Sequence, residues 1–130
     1  GVDLLVERRP SGELALQPWV EINARYTMGH VACALGRRIT PGRVGLWLHV
    51  HRGALRAAGF SSFEDLGAAL ARDPMRTRAQ GTGRGLDAGT LPTNDPGRAE
   101  QVLSVLVVDV TASAAAARLP AGLLPRELRL

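Results

Sequence analysis

The sequence contains no lysine and a single cysteine, and both features restrict its function. A lone cysteine excludes an internal disulfide bond and a zinc site built from several cysteines. Cys33 lies in an apolar stretch, so we expect a buried and unreactive thiol. No run approaches the roughly 20 apolar residues that a membrane-spanning helix needs, and no signal peptide is recognisable at the start. The sequence therefore predicts a cytoplasmic protein without a membrane partner.

Aromatic residues are scarce, at 4% of the chain, which argues against a platform for stacking bases. The net charge of +4 and the pI near 10.9 suggest a polyanion partner. However, every basic residue is arginine, and alanine, glycine, leucine and valine dominate, which is a bias that GC-rich coding sequences produce. The arginines are also scattered along the sequence, apart from two adjacent pairs. We therefore expect no nucleic-acid partner, since such a partner requires arginines that cluster on one face of the fold.

Apolar periodicity and turn residues predict an α+β fold with an antiparallel sheet of about four or five strands and helices on one face. Helices are expected at residues 30–39, 61–72 and 111–119, and strands at residues 2–8, 14–23, 45–52 and 101–110. Residues 101–110 are expected to pair antiparallel with residues 88–93. A helix from residue 98 onward is the competing interpretation.

Two further patterns favour ordinary surface structure over a site. Gly81, Gly83 and Gly85 have the spacing of a phosphate-binding loop, but they do not follow a strand and open a helix, so residues 76–89 are predicted to be a surface loop. His49 and His51 could both bind a metal from one strand. No third acidic or histidine ligand lies near them in the sequence, so exposed strand histidines are expected.

The stretch from Trp19 to Val31, WVEINARYTMGHV, is the part of the chain that points to chemistry. Residues two apart on a strand project from the same face, so Glu21 and Asn23 offer two oxygen ligands side by side, with Arg25 next. Oxygen ligands suit a hard cation such as Mg²⁺. A guanidinium beside them can hold phosphate or carboxylate oxygens.

The first strand adds Asp3 to this group. If the loop after the first strand is Ser11-Gly12-Glu13, Asp3 lies directly opposite Glu21, whereas a two-residue loop places Val20 there instead. Like charges that face each other across a ladder are unfavourable, so the first register favours a cation between the two carboxylates. The alternative is an exposed edge strand on which Arg25 forms salt bridges with Glu21.

An acidic residue on one strand, followed by Glu-x-Asn-x-Arg on the next, resembles the closing metal-binding strands of the ATP-grasp superfamily. The phrase EINARYTMG is similar to a variant found in bacterial members, with Ala24 where many members have proline. The resemblance implies that Asp3, Glu21 and Asn23 bind Mg²⁺ or Mn²⁺. It further implies that Glu21, Asn23 and Arg25 bind ATP and that Arg25 acts catalytically on the phosphoryl group or the acyl substrate.

The resemblance also implies a reaction, in which ATP converts a carboxylate into an acyl phosphate that an amine or similar nucleophile then attacks. Residues 1–43 are expected to end the ATP-grasp core, and residues 44–130 to form an α+β extension of the same unit. The other half of the ATP site is expected upstream in the same polypeptide, so this chain alone is expected to be inactive. A non-catalytic binding or interaction module on the same scaffold is the alternative.

Overall fold

The computed structural model describes the backbone of residues 2–22 and 27–124, and it describes side chains within these ranges except at residues 2–4 and 17–22. The chain divides into two compact units, Gly1–Leu35 and Gly36–Leu130, which we call the hairpin unit and the sheet unit. The boundary predicted between residues 43 and 44 stays a prediction. The predicted α+β class is confirmed, with a four-stranded antiparallel sheet, a two-stranded hairpin and short helices.

The hairpin unit contains strand β1, Val2–Arg8, and strand β2, Leu14–Ile22. The predicted loop Ser11-Gly12-Glu13 is wrong, because Arg8 pairs with Leu14 and the Arg9 N–H donates to the Glu13 carbonyl at 2.9 Å. Pro10 suits the second position of the turn, and the Gly12 N–H closes that turn on the Arg9 carbonyl at 2.8 Å. Gly12 has a φ of 84°, which a residue with a side chain adopts only with strain.

Helix α1, Met28–Gly36, begins two residues earlier and ends three residues earlier than predicted. Thr27 precedes it and accepts a hydrogen bond from the His30 N–H at 3.4 Å, as expected of an N-cap. The helix buries none of its described residues. The prediction of a buried Cys33 is therefore wrong, and its thiol is exposed.

The sheet unit is built from four antiparallel strands in the order β3-β6-β5-β4. Their bounds are Val44–His51 for β3, Arg76–Gln80 for β4, Gly83–Pro92 for β5 and Val102–Asp109 for β6. The predicted pairing of the last strand with residues 88–93 is confirmed, since Gly89 faces Val108 and Pro92 faces Val105. The competing helix from residue 98 is not formed, although a short 3₁₀ turn covers Pro96–Arg98.

Three helices of the sheet unit pack into one hydrophobic core. They are α2, Arg52–Ala57, α3, Phe63–Leu70, and α4, Ala112–Ala117. Their buried residues join alternate residues of β6, because alternate strand residues share a face. The main members are Leu55, Phe63, Leu66, Leu70, Ala115, Leu103, Val105 and Val107. Helices α3 and α4 lie within the predicted ranges, whereas α2 was not predicted.

The prediction of a surface loop at residues 76–89 is wrong. Strands β4 and β5 form a hairpin there, in which Gln80 faces Gly83 and Arg78 faces Gly85. The apolar alternation that identifies strands is missing because all five residues of β4 are exposed. Backbone pairing with β5, rather than burial of side chains, holds this strand in place.

Candidate functional site

Asp3 and Glu21, the first and second predicted metal ligands, lie directly opposite each other on β1 and β2. This pairing was predicted, but the turn and the strand regularity from which it was predicted are not those of the structure. Arg8 faces Leu14 beside the turn, and an irregularity between Asp3 and Leu5 then shifts the pairing by two residues. Pro18 lies within the shifted part of β2, where its missing N–H removes a ladder donor. The remaining two site residues, Asn23 and Arg25, lie outside the described residues.

The chemistry of this pair fits a hard divalent cation. Opposed residues on antiparallel strands bring their Cβ atoms to about 4.5–5.5 Å, which is close enough for two carboxylates to share one ion. Two ionised carboxylates at that separation repel each other unless a cation or a proton lies between them. Mg²⁺ or Mn²⁺ is commonly bound by one or two carboxylates together with water and phosphate oxygens.

Of the two histidines of β3, His49 contacts a serine and a tryptophan. His49 Nδ1 lies 2.8 Å from Ser104 Oγ, and the His49 ring meets the Trp47 ring edge to face with centroids 4.7 Å apart. Among the side chains that the structure describes, no three histidine, cysteine or acidic residues are grouped so that they could hold a metal ion. His49 and His51 therefore remain exposed strand residues.

An arginine-carboxylate cluster that the sequence did not reveal lies on the β4–β5 hairpin. The Arg43 side chain donates to both oxygens of Asp87, at 3.0 and 3.2 Å. Arg78 donates to Oδ2 of the same carboxylate at 3.3 Å. Asp87 is the one acidic residue between positions 74 and 94, and this isolation among arginines was the available signal.

A second cluster joins the end of α4 to β6. Arg118 forms ion pairs with both Asp73 and Asp109. The N–H of Val110, followed by the guanidinium of Arg118, lowers the pKa of Asp109 below its usual range. The hydrogen bond to Asp109 is in turn the main cause that raises the pKa of Arg118.

A surface cavity of about 670 Å³ opens beside this cluster, lined by residues that include Phe60, Asp73 and Arg118. Among the polar side chains in its wall, Asp73, Thr90 and Arg118 have partners within the protein, whereas the exposed Arg72 side chain forms no hydrogen bond or ion pair with the described residues. Thr90, which is buried, donates its hydroxyl to the carbonyls of Leu70 and Asp73 at 2.7 and 3.1 Å. The ion pairs of Arg118 in this wall tie the helices to the sheet.

Comparisons with protein-family models, with curated proteins and with solved structures found no match for this chain. In the described part of the chain, no helix combines the length and the apolar character needed to cross a membrane. Any assignment of function therefore depends on the residues of the chain itself.

Proposed function

We propose that this chain supplies part of the Mg²⁺-ATP site of an ATP-dependent carboxylate ligase that resembles the ATP-grasp superfamily. The observation that supports the proposal is the register that sets Asp3 opposite Glu21 on neighbouring strands. Two carboxylates that face each other across a ladder are unfavourable without a cation or a proton between them, and a cation bound there can also bind phosphate oxygens. Asn23, two residues after Glu21 in the sequence, offers a further oxygen ligand.

Each residue has a role in the proposed site. Asp3, Glu21 and Asn23 hold the metal ion, which neutralises charge on the ATP phosphates when it is bound. Arg25 binds phosphate oxygens and stabilises the charge that develops on the transferred phosphoryl group, which is chiefly an electrostatic task. The carboxylate substrate and the amine acceptor bind mostly to the upstream half of the proposed parent polypeptide.

The exposed apolar residues of the hairpin support the proposal of an upstream half. Val6 faces Leu16, and their exposed fractions are 61% and 59%. Leu14 lies on the same face and is equally exposed. A hairpin of two strands is at best marginally stable alone, so this face suits a hairpin that completes a larger sheet.

Binding of Mn²⁺, measured by the electron paramagnetic resonance signal of the free ion, tests the metal site. We expect Glu21→Gln and Asp3→Asn each to weaken binding at least about tenfold, since even residues that support a metal ligand commonly contribute that much. Glu7→Gln is the matched control, because Glu7 lies on β1 and faces Ala15 rather than an acidic residue. Circular dichroism verifies that each variant is folded.

A second measurement separates the phosphate role from the metal role. Arg25→Gln should leave Mn²⁺ binding unchanged and weaken binding of Mn²⁺-ATP, measured by calorimetry. Both measurements are made on this chain and on a longer polypeptide that includes the proposed upstream half. Mn²⁺ affinity that is unchanged by Glu21→Gln in both proteins contradicts the proposal and leaves a non-catalytic binding module on this scaffold.

A further inference from the structure

The basic excess of the chain is confined to two segments, residues 36–43 and residues 76–89. Together they hold six of the sixteen arginines and one of the twelve acidic residues, so their net charge is +5. The remaining residues hold ten arginines and eleven acidic residues, so their net charge is −1. A compositional bias explains how many arginines the chain has, but it does not explain this distribution.

Backbone pairing brings the two segments together at Leu86. The Leu86 N–H donates to the Arg38 carbonyl at 2.7 Å, and the Thr40 N–H donates to the Leu86 carbonyl at 2.8 Å. On its other side, Leu86 faces Thr77 of β4. We call the two paired segments the basic ribbon. Its six arginines are Arg37, Arg38, Arg43, Arg76, Arg78 and Arg84.

The arginines of the basic ribbon are only partly neutralised. Asp87 is shared by Arg43 and Arg78, which leaves an excess of positive charge at that carboxylate. Arg84 donates to Thr77 Oγ1 at 2.7 Å and to the Thr77 carbonyl at 3.1 Å, which fixes its position without neutralising it. Among the described side chains, Arg37, Arg38 and Arg76 form no ion pair, and all three are exposed.

The form of the basic ribbon restricts its partner. Strand β4 is the edge of the sheet and exposes all five residues, Arg-Thr-Arg-Ala-Gln, so it has no large apolar side chain to insert into a lipid bilayer. Neither segment contains an aromatic residue on which an unpaired base could stack. The basic ribbon therefore presents charged residues on a two-stranded antiparallel hairpin, β4–β5, with a glycine-containing tip and with residues 36–43 paired alongside it.

We propose that the basic ribbon binds the phosphate backbone of duplex DNA. Guanidinium groups bind phosphate oxygens in a bidentate manner. Both strands of the hairpin carry arginines, and Arg84 lies on the opposite face from Arg78 because it pairs with Ala79. The major groove of B-form DNA, about 12 Å wide, admits a two-stranded ribbon, whereas the deep, narrow groove of A-form RNA does not. Binding of this kind is independent of base sequence and depends steeply on salt.

This inference departs from the sequence-based expectation of no nucleic-acid partner, because the fold pairs arginines that are about 40 positions apart in the chain. It is independent of the proposed ligase site. Variants of the basic ribbon should leave Mn²⁺ binding unchanged, and variants of Glu21 should leave DNA binding unchanged, so the failure of either proposal is distinguishable from the failure of the other.

Fluorescence anisotropy of a labelled duplex of mixed sequence, about one and a half helical turns long, tests the proposal at about 50 mM salt. The variant combines Arg76→Gln, Arg78→Gln and Arg84→Gln. Its control combines Arg52→Gln, Arg56→Gln and Arg98→Gln, which removes the same charge from exposed positions elsewhere on the sheet unit. We expect the first variant to bind at least about tenfold more weakly than the control, with a salt dependence reduced by about one unit of slope for each lost phosphate contact.

A second variant tests the proposal without changing any residue of the β4–β5 hairpin. Arg37→Gln combined with Arg38→Gln removes two exposed side chains that have no ion-pair partner in the described part of the chain, and it should also weaken binding severalfold. Equal losses in the control and in the ribbon variant overturn the proposal. So does tighter binding to a single strand or to duplex RNA, binding only to vesicles of anionic lipid, or no binding to duplex DNA at low salt.

Discussion

The hairpin unit and the sheet unit differ most in where their apolar side chains lie. In the hairpin unit, Val6, Leu14 and Leu16 are each about 60% exposed, and β1 and β2 are joined by backbone pairing. In the sheet unit, Leu103, Val105 and Val107 are completely buried beneath three helices. Burial of apolar surface is the main favourable term in folding, so the sheet unit has the means to fold alone, whereas the described side chains of the hairpin unit bury little apolar surface.

The largest effect is expected when one leucine in each unit is replaced by alanine. Leu103→Ala should lower the free energy of unfolding of the sheet unit by about 2–5 kcal/mol, because it leaves a cavity in a closed core. Leu16→Ala should change it by less than about 0.5 kcal/mol, because that side chain is already exposed.

Urea unfolding followed by Trp47 fluorescence, in a Trp19→Phe background, reports on the sheet unit alone. A loss of several kcal/mol in Leu16→Ala would mean that the exposed hairpin residues contribute to the core of the sheet unit, and it would remove the basis of the comparison.

The second prediction concerns two glycines of the sheet unit with positive φ. Gly89, with φ 123°, lies where an added Cβ would be 2.5 Å from the Pro74 carbonyl oxygen, whereas Gly59, with φ 83°, has no neighbour within 4 Å of that position. Gly59→Ala should destabilise by about 1 kcal/mol through its backbone conformation. Gly89→Ala should cost about 1–3 kcal/mol more, since backbone atoms must move.

The same unfolding measurement compares the two variants. Equal losses would show that β5 shifts away from Pro74 at little cost, and that the sheet unit is more adaptable than its closed core indicates.

How far the sequence predicted the structure follows from what each segment buries. Strand β3, with Leu46, Leu48 and Val50 on one face, and the apolar strand β6 were predictable because burial gives them a period or a continuous apolar run. Residues 76–84 of the β4–β5 hairpin were not predictable as strands, because they are exposed and rich in arginine and glycine. Backbone hydrogen bonds specify this pair of strands, and they leave no periodic pattern of apolar residues in the sequence.

The candidate sites divide in a similar way. The opposition of Asp3 and Glu21 was predicted from a turn that the structure does not form, and an irregular pairing near Pro18 restores the register. The irregular pairing cannot be deduced from the length of the loop, which fixes the register only for regularly paired strands. The basic ribbon was not predicted because residues 36–43 and 76–89 come together through one residue, Leu86. Its hydrogen-bond partners, Arg38 and Thr40, are distant from it in the sequence.

A smaller effect is expected from the helix caps of the two units. Ser62 Oγ accepts a hydrogen bond from the Asp65 N–H at 3.0 Å, and Asp65 accepts one from the Ser62 N–H at 3.1 Å. Ser62→Ala should therefore lower the free energy of unfolding of the sheet unit by about 1 kcal/mol.

Thr27→Ala, which removes the cap of α1, should change that value by less than about 0.5 kcal/mol, because α1 buries none of its described residues. Both values come from Trp47 fluorescence in urea. A larger effect of Thr27→Ala than of Ser62→Ala contradicts the contrast between a unit with a closed core and a unit whose described side chains bury little.

The smallest effect on the free energy of unfolding is expected from removing the charge of Asp109, and this effect depends on pH. The pKa of Asp109 is lowered by the Val110 N–H and by Arg118, so this carboxylate stabilises the folded state above the ordinary carboxyl pKa of about 3.9. That stabilisation is lost as the pH falls through the lowered value. Asp109→Asn keeps an oxygen that can accept the Val110 N–H, but it replaces the oxygen that accepts the Arg118 Nε–H with an amide nitrogen, so the charge and that hydrogen bond are both removed.

Asp109→Asn should therefore shift the urea midpoint to lower concentration at about pH 7, and the shift should shrink as the pH falls through the lowered pKa of Asp109, because the wild-type carboxyl then also becomes protonated. Glu13→Gln is the counterpart in the hairpin unit, where Glu13 lies 3.9 Å from Arg9 and both side chains are more than half exposed. Such pairs contribute little, so no shift is expected from it at either pH. A constant shift for Asp109→Asn at all pH values would mean that shape and hydrogen bonding, rather than charge, hold α4 to the sheet, and that the two units differ in burial alone.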